Sequence, residues 1–600
     1  MQRNKETATS GVRRTSRTFR LYLIKPSHYD DDGYVIQWWR ANIPSNSLAA
    51  VNGIAGICAE ERALGDDVEI EIVIHDETNT RIRPAHIARD INNASAGGLV
   101  ALVGVQSNQF PRAMDIARPL RDAGVPVCIG GFHVSGCMSM LPKLPPDIQE
   151  ALDLGISIFA GEAEGRLEAL LQDAHRGTMK PVYNWMADLP SLEGAPIPIL
   201  PRENLEKAAV SGTSFDCGRG CPFQCSFCTI INVQGRKSRY RTADDVEAIL
   251  RANNAMGVKK LFVTDDNFAR NKNWEKIFDR IIHLREVEGL KFQLVIQVDT
   301  LCHRIPNFVE KAGRAGVKRV FIGLENINPD NLIGAKKKQN RITEYRTMLQ
   351  DWKRVGAVTY CGYIIGFPND TPASVLRDIE IIKRELPVDL VEFFVLTPLP
   401  GSEDHQVLHA KDVAMDPDMN KYDAEHVTTA HPLMSAEEWQ AVYQQAWHAF
   451  YTPEHVETVM RRAAACGMRP AKLKNLLLGF YGSQAIENVH PLQGGLFRLK
   501  YRTDRRPGFP VVNPLIFYPG YAWETLKKAG RFYLLNRTYK RLLKRVQASA
   551  HLDRYADLAL KPAGDEDLDD LRIFGTSEGA KKAADRARKN AKPRVVAAAE

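Results

Sequence analysis

Short apolar runs alternate with amphipathic stretches through residues 18–178. The five runs begin at Phe19, Val68, Leu99, Val125 and Ile156. Strand-like runs that alternate with helical ones are typical of βαβ units, in which helices cover both faces of a parallel sheet. The pattern therefore predicts a Rossmann-like α/β domain that binds its ligand beyond the carboxyl ends of the strands.

A second series, of six strand–helix units, occupies residues 208–405. Its strands begin at Ala209, Lys260, Phe292, Arg319, Tyr360 and Leu390. Strict alternation over this length predicts a parallel, curved sheet, a partial (β/α)6 TIM barrel, with its chemistry at the carboxyl ends of the strands. Five prolines within residues 179–207 disfavour a helix or a central strand there, so we interpret this stretch as an interdomain linker.

The remaining residues lack this alternation. Residues 406–560 are predicted to form a helical C-terminal domain, in which Ser435 and Glu438 make a capping box before a helix with an aromatic, core-facing stripe. Residues 1–17 are basic and have no apolar signal segment, and residues 561–600 are rich in Ala, Lys and Asp. We interpret the first as a disordered leader and the second as a disordered tail.

Composition narrows the class of protein. A chain of 600 residues is too long for one core, and 44% hydrophobic with 25% charged residues is typical of a soluble globular protein. A net charge of +8 is small for this length and does not indicate a nucleic-acid partner. Ten dispersed cysteines with a single cluster indicate reduced thiols and a cytoplasmic location. No segment has the apolar length of a membrane span.

The cysteine cluster carries the most specific chemistry. Cys221, Cys225 and Cys228 have C-x3-C-x2-C spacing, and three thiolates on one loop hold three corners of a [4Fe–4S] cluster, leaving the fourth iron open. The alternative is a zinc site with Cys217 as the fourth ligand. Zinc sites usually consist of two separated C-x2-C pairs, so we interpret Cys217 as a buried thiol and the other three as cluster ligands.

This spacing, with Phe227 just before the last cysteine, resembles the signature of the radical S-adenosylmethionine (SAM) enzymes. The resemblance implies that the open iron binds SAM and that an electron from the cluster cleaves it to a 5′-deoxyadenosyl radical. It extends over residues 18–405, because the first domain resembles the cobalamin-binding domain that precedes the barrel in many of these enzymes.

Polar or glycine residues follow each barrel strand, and the resemblance implies a SAM site built from them. Asp266 stands where many relatives carry a Gly-Gly-Glu motif, which leaves open the group that meets the methionine amine. Glu325 is the carboxylate expected at the ribose. The residues implied to bind SAM are Phe227, Asp266, Asn267, Asp299, Glu325, Gly362, Ile364 and Gly366.

The loops of the first domain imply a cobalamin site, because glycines allow the backbone to approach a large flat ligand. The implied residues are Ser107, Gly130, Gly131, His133, Gly161 and Glu162. The Asp-x-His-x-x-Gly motif that supplies a lower cobalt ligand is missing after the first strand, and His28 and His175 are misplaced for it. We therefore expect no histidine below the cobalt. The alternative is a Rossmann-like scaffold that has lost the cofactor.

The resemblance implies a cobalamin-dependent enzyme that methylates an unactivated carbon of a small-molecule or lipid-like substrate. Its implied cofactors are a [4Fe–4S] cluster, SAM and cobalamin, and its implied electron donor is a flavodoxin or ferredoxin. Cyclisation or rearrangement, resembling the anaerobic magnesium-protoporphyrin cyclase group, would use the same parts without methyl transfer. A non-enzymatic cobalamin or iron–sulfur sensor is the alternative from another class, and the strand-end motifs of a SAM pocket argue against it.

One stretch bears on the substrate. In residues 519–546 apolar residues recur every three or four positions, so a helix gathers them on one side and Lys and Arg residues on the other. This composition is typical of a helix in a membrane interface, which would place the enzyme peripherally on the inner membrane face with a lipid-like substrate, as in hopanoid methylases of this family. The alternative is a helix packed on the barrel with a solvated basic side.

Overall fold

The first domain is a parallel sheet covered by helices. A computed structural model describes residues 16–209, 212–549, 552–561 and 571–590. The sheet order is β3-β1-β4-β5-β6-β7, and all its neighbours are parallel. The elements are β1 (Arg17–Lys25), β2 (Gln37–Ala41), α1 (Asn46–Glu60), β3 (Val68–Asp76), α2 (Pro84–Asn93), β4 (Gly98–Leu102), α3 (Phe110–Asp122), β5 (Val127–Gly130), α4 (Phe132–Met140), α5 (Pro146–Asp153), β6 (Ser157–Ala160), α6 (Leu167–Arg176) and β7 (Val182–Asn184).

The second domain is the six-stranded partial barrel. Its strand order, β8-β11-β12-β13-β14-β15, follows the chain, and every neighbouring pair is parallel. The elements are α7 (Arg202–Glu206), β8 (Gly212–Phe215), β9 (Gly218–Arg219), α8 (Ile230–Val233), β10 (Arg239–Tyr240), α9 (Ala243–Ala255), β11 (Lys260–Val263), α10 (Trp274–Glu286), β12 (Gln293–Val298), α11 (Phe308–Ala315), β13 (Val317–Glu325), α12 (Pro329–Gly334), α13 (Tyr345–Arg354), β14 (Val358–Ile365), α14 (Pro372–Glu385) and β15 (Leu390–Val395).

The C-terminal part is mostly helical and closes the open side of the barrel. The predicted capping box is present, since Ser435 accepts a hydrogen bond from the Glu438 amide, and the aromatic stripe of that helix is buried against β15. The elements are α15 (Glu403–Ala410), α16 (Ala436–Phe450), α17 (Pro453–Ala465), α18 (Pro470–Gly482), a π-helical turn (Ser483–Glu487), β16 (Gly495–Leu499), α19 (Pro514–Ala548) and α20 (Glu578–Asn590).

The predicted α/β class, with a Rossmann-like sheet and a partial barrel, is confirmed, but four local expectations are wrong. Arg17, assigned to the leader, begins β1; the rest of the leader up to residue 15 lies outside the described residues. The stretch interpreted as a linker contains the edge strand β7 and the short helix α7. The C-terminal domain contains β16, which pairs antiparallel with β2 of the first domain.

The fourth correction concerns the tail. Residues 571–590 of the stretch expected to be disordered form a turn and α20, which pack on α12 and α14 of the barrel. Leu571, Ile573 and Phe574 are buried there. The amides of Arg572 and Ile573 also donate hydrogen bonds to the carboxylate of Glu385. The tail was expected to be disordered because its apolar content is low overall, but these three apolar side chains are enough to pack it on the barrel.

Backbone contacts bring the first domain against the barrel at its carboxyl edge. Gly136 of α4 lies so close to the Thr397–Gly401 turn that a Cβ on it would be 2.4 Å from the Pro400 carbonyl oxygen. Asn232 donates a hydrogen bond to the Gly401 carbonyl oxygen of the same turn. The carboxyl ends of both sheets therefore meet. None of the described helices combines the length and the apolar content that crossing a bilayer would require.

Candidate functional site

The three clustered cysteines lie on the loop that leaves the first barrel strand. Cys225 is buried, whereas Cys221 and Cys228 are partly exposed. The loop is held from two sides, because the Cys221 amide donates to the Gly235 carbonyl and the Ser226 amide donates to the Ala335 carbonyl. The side-chain amide of Gln339 also donates to the Cys225 sulfur at 3.3 Å. A hydrogen bond to sulfur stabilises a thiolate ligand and tunes the metal that it binds.

The thiol of Cys217 is buried, as the sequence analysis predicted. Its side chain is fully buried, and burial raises the pKa of its thiol well above the usual range. Its backbone amide donates to Asp265 at 2.7 Å. Asp265 also accepts a hydrogen bond from the Asn271 side chain at 3.0 Å. Asp265 therefore ties the start of the cysteine loop to the end of β11.

The neighbouring carboxylate, Asp266, is free. No other side chain in the described part of the chain donates a hydrogen bond or forms a salt bridge to it, and it is close enough to Cys221 and Cys228 to raise the pKa of both thiols. Its side chain is exposed to solvent, yet the surrounding protein desolvates it and raises the pKa of its carboxyl to about 7. It is the predicted SAM residue with an uncommitted carboxylate beside the cysteines.

Asn267 and Asp299, also predicted at the SAM site, are bonded to each other. The Asn267 side-chain amide donates to Asp299 at 3.0 Å, and the Asp299 amide donates back to the Asn267 side-chain oxygen at 3.3 Å. Arg270 donates two hydrogen bonds to the same carboxylate. This cluster joins the ends of β11 and β12. The Asp299 carboxylate already accepts hydrogen bonds from protein side chains in this structure.

Glu325 ends β13 in a left-handed backbone conformation with a φ of 60° and forms a buried ion pair with Lys337. Gly323 makes room for the pair, since a Cβ there would lie 2.7 Å from a Glu325 carboxylate oxygen. Burial alone would lower the pKa of Lys337, but the charges of Glu325, Cys225 and Cys228 outweigh burial and raise it. Lys337 is therefore a cation held between a carboxylate and the cysteine loop.

The remaining predicted SAM residues form an apolar wall and a backbone turn. Ile364 and Phe367 are buried together with Ala335, and Phe227 packs against them. Such an apolar patch suits the face of a flat ring. Gly362 lies between the Phe321 and Phe394 rings, where a Cβ would be 3.0 Å from the first. Gly366 has a φ of 113° and contacts Trp439 of α16, so its role in this structure is to admit that ring.

A cavity of about 180 Å³ opens at the carboxyl edge of the first sheet. Four of the six predicted cobalamin residues line it: Gly130, Gly131, Gly161 and Glu162. Helix α1 contributes apolar atoms, and Arg219 and Gln234 of the barrel close the far end. Glycine backbone on one side and apolar side chains on the other leave room for an extended ligand segment between the two domains. No histidine in the described chain lines this cavity.

The other two predicted cobalamin residues, Ser107 and His133, lie outside the cavity. One ring nitrogen of His133 is 3.1 Å from the Ser107 hydroxyl and the other is 2.8 Å from an Asp147 carboxylate oxygen. Both nitrogens of this buried ring are thus used within the protein. The polar groups of Ser107, His133 and Asp147 are thus bonded to one another in this structure, and contact of Ser107 and His133 with cobalamin stays a prediction.

Glu162 has a second role at the domain boundary. Its carboxylate pairs with Arg239 and with Arg219, the latter at 2.7 Å. Arg219 also pairs with Glu164 and Asp216, at 2.7 and 3.1 Å. Burial alone would lower the pKa of Arg219, but these three carboxylates raise it well above the usual range. An arginine inside the cysteine-bearing stretch therefore ties the cavity of the first domain to the cluster loop.

A comparison with known families agrees with this geometry. Residues 216–382, from the cysteine loop to α14, match the model of the Radical SAM superfamily. These residues therefore form a radical SAM domain. The match lies within the partial barrel, between the end of β8 and α14, and includes the cysteine loop, Asp266 and Lys337.

The similarity to individual proteins extends beyond the radical SAM domain. The chain is 30% identical to bacteriochlorophyllide d C-12(1)-methyltransferase of Chlorobaculum tepidum, covering 50% of this chain and 63% of the relative. It is 26% identical to hopanoid C-2 methylase of Rhodopseudomonas palustris, covering 48% and 53%. Each match thus leaves more than a third of the relative unaligned.

The fold is shared with a solved structure. This is the radical S-adenosylmethionine methyltransferase TsrM from Kitasatospora setae, solved with cobalamin and a [4Fe–4S] cluster bound. The TM-score is 0.53 at 14% identity, over 77% of this chain and 99% of that one. At this identity the match supports the architecture, a Rossmann-like domain placed before a radical SAM barrel.

The donor set fits an iron–sulfur cluster. Among the described residues, no group of three or more His, Cys, Asp or Glu side chains surrounds a point where one metal ion would bind. A cubane cluster does not need such a group, because each of its cysteines binds a different iron atom. Three thiols on one loop, one of them already accepting a hydrogen bond, match that requirement.

Sequence reasoning missed three residues of this site: Arg219, Lys337 and Gln339. Arg219 lies within the motif itself, but nothing in its spacing indicates carboxylate partners more than fifty residues earlier. Lys337 and Gln339 belong to a loop more than a hundred residues after the cysteines. The only available signal was the basic run of residues 336–338, which is typical of a solvated loop.

Proposed function

We propose that this protein is a cobalamin-dependent radical SAM methyltransferase that acts on an unactivated carbon. One observation carries the proposal: Arg219, two residues before Cys221 in the cysteine-bearing stretch, also lines the glycine-rich cavity of the Rossmann-like domain. A non-enzymatic sensor would not need both a free acidic group, Asp266, near the cysteines and a cavity joined to the cysteine-bearing stretch.

Each cofactor has a set of residues that would hold it. Cys221, Cys225 and Cys228 would ligate the [4Fe–4S] cluster, with Gln339 donating to Cys225. Asp266 would accept hydrogen bonds from the SAM amine, and the wall of Phe227, Ile364 and Phe367 would pack on the adenine. When bound, the cluster and SAM would supply the chemistry that generates a carbon-centred radical, and cobalamin would supply the methyl group.

The chain's own contribution is position and exclusion of water. The Glu162–Arg219–Glu164 ion pairs hold the cavity of the first domain over the cysteine loop. Glu162 and Gly161 would face cobalamin across the same boundary. Lys337, buried against the thiols, offsets negative charge that a thiolate-ligated cluster brings into the barrel. Fixed geometry of this kind lowers the entropic cost of bringing reacting groups together.

The test is anaerobic reconstitution followed by incubation with SAM and a reductant. We expect iron and cobalamin to be retained, and 5′-deoxyadenosine and S-adenosylhomocysteine to form once substrate is present. Cys225→Ala should abolish both products, whereas Cys217→Ala, a matched cysteine outside the ligand set, should preserve them. Formation of 5′-deoxyadenosine without methyl transfer from any candidate would favour cyclisation or rearrangement.

The same proposal includes two partners. A small acidic electron-transfer protein such as flavodoxin or ferredoxin would supply the reducing electron.

Helix α19 would rest on the inner membrane face, since Trp523, Leu526 and Tyr533 are each more than 60% exposed. A lipid-like substrate follows from that placement, and the hopanoid methylase among the relatives acts on such a molecule by its name.

The structure changes how that helix was interpreted. The protein-facing side of α19 buries Phe517, Tyr539, Leu542 and Val546. On the exposed side, apolar residues occupy the first half, and Arg537, Arg541 and Lys544 follow on the same face at helical spacing. Apolar and basic residues therefore share one surface, rather than lying on opposite sides, and that arrangement suits an anionic bilayer.

A further inference from the structure

Cys225 differs from the other two clustered cysteines in its access to solvent. Cys221 and Cys228 are partly exposed, so water can hydrogen-bond to their sulfurs, whereas Cys225 is buried. A buried sulfur that carries negative charge is stabilised only by the protein groups around it. The donor that the protein offers to Cys225 therefore has more influence on its charge than a donor at a solvated sulfur would have.

That donor is the side-chain amide of Gln339. Its nitrogen lies 3.3 Å from the Cys225 sulfur, and no other side chain of the described residues donates a hydrogen bond to a sulfur of the cysteine loop. A sulfur that ligates iron has no hydrogen to donate, so the amide nitrogen, and not the amide oxygen, has to face it. Lys337 is also near, but its ammonium group is bonded to Glu325, so Gln339 is the group bonded directly to the sulfur.

The loop around Gln339 is fixed to the ends of two barrel strands. The Gln339 carbonyl accepts a hydrogen bond from the buried Thr300 hydroxyl at 3.2 Å, just after β12. The side-chain amide of the next residue, Asn340, donates to the Leu324 carbonyl of β13 at 2.7 Å. The donor is thus held in place by the barrel, and a preorganised donor needs no rearrangement when charge develops beside it.

We propose that Gln339 is a positioning residue that, through Cys225, raises the reduction potential of the [4Fe–4S] cluster. This inference rests on the proposed function, in which Cys225 ligates that cluster. Reduction adds one electron from the acidic electron-transfer protein, and no covalent bond forms or breaks at Gln339 or Cys225. The added electron makes the ligand sulfurs more negative, and a hydrogen bond strengthens as its acceptor becomes more negative. The Gln339 amide therefore stabilises the reduced state more than the oxidised one.

The direct test is a potentiometric titration of the anaerobically reconstituted full chain, before SAM or cobalamin is added. Electron paramagnetic resonance measures the reduced cluster at each potential. We expect Gln339→Leu to lower the ratio of reduced to oxidised cluster about tenfold at a fixed potential, which is about 59 mV for one electron. Gln339→Glu keeps the shape of the side chain but replaces the donor with an acceptor, so it should lower the midpoint at least as far. An unchanged midpoint in Gln339→Leu, or a higher one in Gln339→Glu, would overturn the proposal.

Gln109→Leu is the matched control. Gln109 and Gln339 are each 7% exposed, but Gln109 belongs to the first domain and accepts its hydrogen bond from the Gln106 amide. The control should leave the midpoint unchanged, and an equal drop there would show a global effect instead of the proposed one. Iron and sulfide are determined for each variant, and Gln339→Leu should retain both because all three thiols remain. Loss of iron in Gln339→Leu as complete as in Cys225→Ala would show a role in holding the loop and would exclude the proposed one.

The two proposals fail separately. SAM cleavage by the wild type is measured on the same preparation. A potential that depends on Gln339 in a wild type that cleaves no SAM contradicts the proposed function and leaves the role of Gln339 standing. SAM cleavage with a potential that does not depend on Gln339 contradicts only that role. A wild type that assembles no iron–sulfur cluster contradicts both.

Discussion

Gly366 and Trp439 contact each other so closely that a Cβ on Gly366 would lie 1.9 Å from the indole ring. The indole nitrogen donates to the Ile365 carbonyl at 3.0 Å, which fixes the ring over the turn after β14. The carboxylate of Asp370 closes the same turn by accepting from the Gly366 and Phe367 amides. The last glycine of the Gly-x-Ile-x-Gly stretch thus docks the C-terminal helices on the radical SAM domain.

Gly366→Ala should destabilise the protein by about 3 kcal/mol or more, because it adds a steric clash to a backbone with positive φ. Urea unfolding followed by tryptophan fluorescence measures the loss. Trp439→Leu in the same chain should recover part of it, since the two positions are coupled. Gly530→Ala, on the exposed helix α19 with no atom near its Cβ, is the control and should not destabilise the chain. An unchanged midpoint for Gly366→Ala would contradict this contact.

Asp265 and Asp266 are adjacent, but substituting them should affect different properties, stability for Asp265 and SAM binding for Asp266. Asp266→Asn should weaken SAM binding by about tenfold and change stability by less than about 0.5 kcal/mol, because its carboxylate has no partner to lose. Asp265→Asn should destabilise the chain by about 1–3 kcal/mol, because it supports the Cys217 amide. Binding is measured by calorimetry on reconstituted protein and stability by urea unfolding. Equal effects of the two variants on SAM binding would contradict the assignment.

We expect the four cysteines of residues 217–228 to comprise three cluster ligands and one structural thiol. Replacing Cys221, Cys225 or Cys228 with Ala should remove the brown chromophore and most of the iron after anaerobic reconstitution. Cys217→Ala and Cys302→Ala should retain both, since these buried thiols lie outside the ligand set. Iron and sulfide are determined per chain. Loss of iron in Cys217→Ala as complete as in Cys225→Ala would show that four cysteines bind the metal.

Glu392 should make stability depend on pH. Burial raises the pKa of its carboxyl to about 8 from an unfolded value near 4.5, so the folded chain holds a proton there that the unfolded chain loses. The free energy of unfolding therefore falls between about pH 5 and 8, at up to about 1.4 kcal/mol per pH unit. Glu392→Gln removes this titration, so its free energy of unfolding relative to the wild type should rise across that window. Urea unfolding at several pH values measures it, and a constant difference would contradict the buried, unpaired carboxyl.

That window has other titrating groups nearby, and the comparison of two variants removes their contribution. Tyr360 and Tyr451 lie next to Glu392, and burial raises the pKa of both above any pH in the window. The difference between wild type and Glu392→Gln therefore reports on one carboxyl.

Helix α19 should bind anionic vesicles. Flotation with phosphatidylglycerol–phosphatidylcholine vesicles should recover the wild type at low salt, and recovery should fall in high salt because basic residues each contribute about 1 kcal/mol near such a surface. Substituting Trp523, Leu526 and Tyr533 together with Ser should abolish recovery. Val287→Ser is the control, because Val287 is an exposed apolar residue directly after α10. Equal recovery of both variants, or of a chain truncated after Tyr518, would leave α19 as a packing helix.

Local information determined much of this protein. Strand–helix alternation predicted both parallel sheets, because apolar runs separated by amphipathic helices favour parallel βαβ units. The order of the strands within the first sheet came only from the structure. The spacing of Cys221, Cys225 and Cys228 predicted three candidate ligands on one loop, and the assignment of these residues as ligands stays a prediction. The cap at Ser435 and the buried stripe of α16 were also predicted from the sequence, because each depends on contacts between residues that are close together in the chain.

Tertiary structure decided which polar groups are free to act. Asp265, Asp266 and Asp299 look alike in the sequence, yet distant partners commit the first and third and leave Asp266 uncommitted. Lys337 reaches the cysteines from a separate loop, and neither carboxyl oxygen of Glu392 has a hydrogen-bond partner among the described residues. Hydrogen bonding and desolvation depend on neighbours that the chain brings together over long separations, and no periodicity encodes those neighbours.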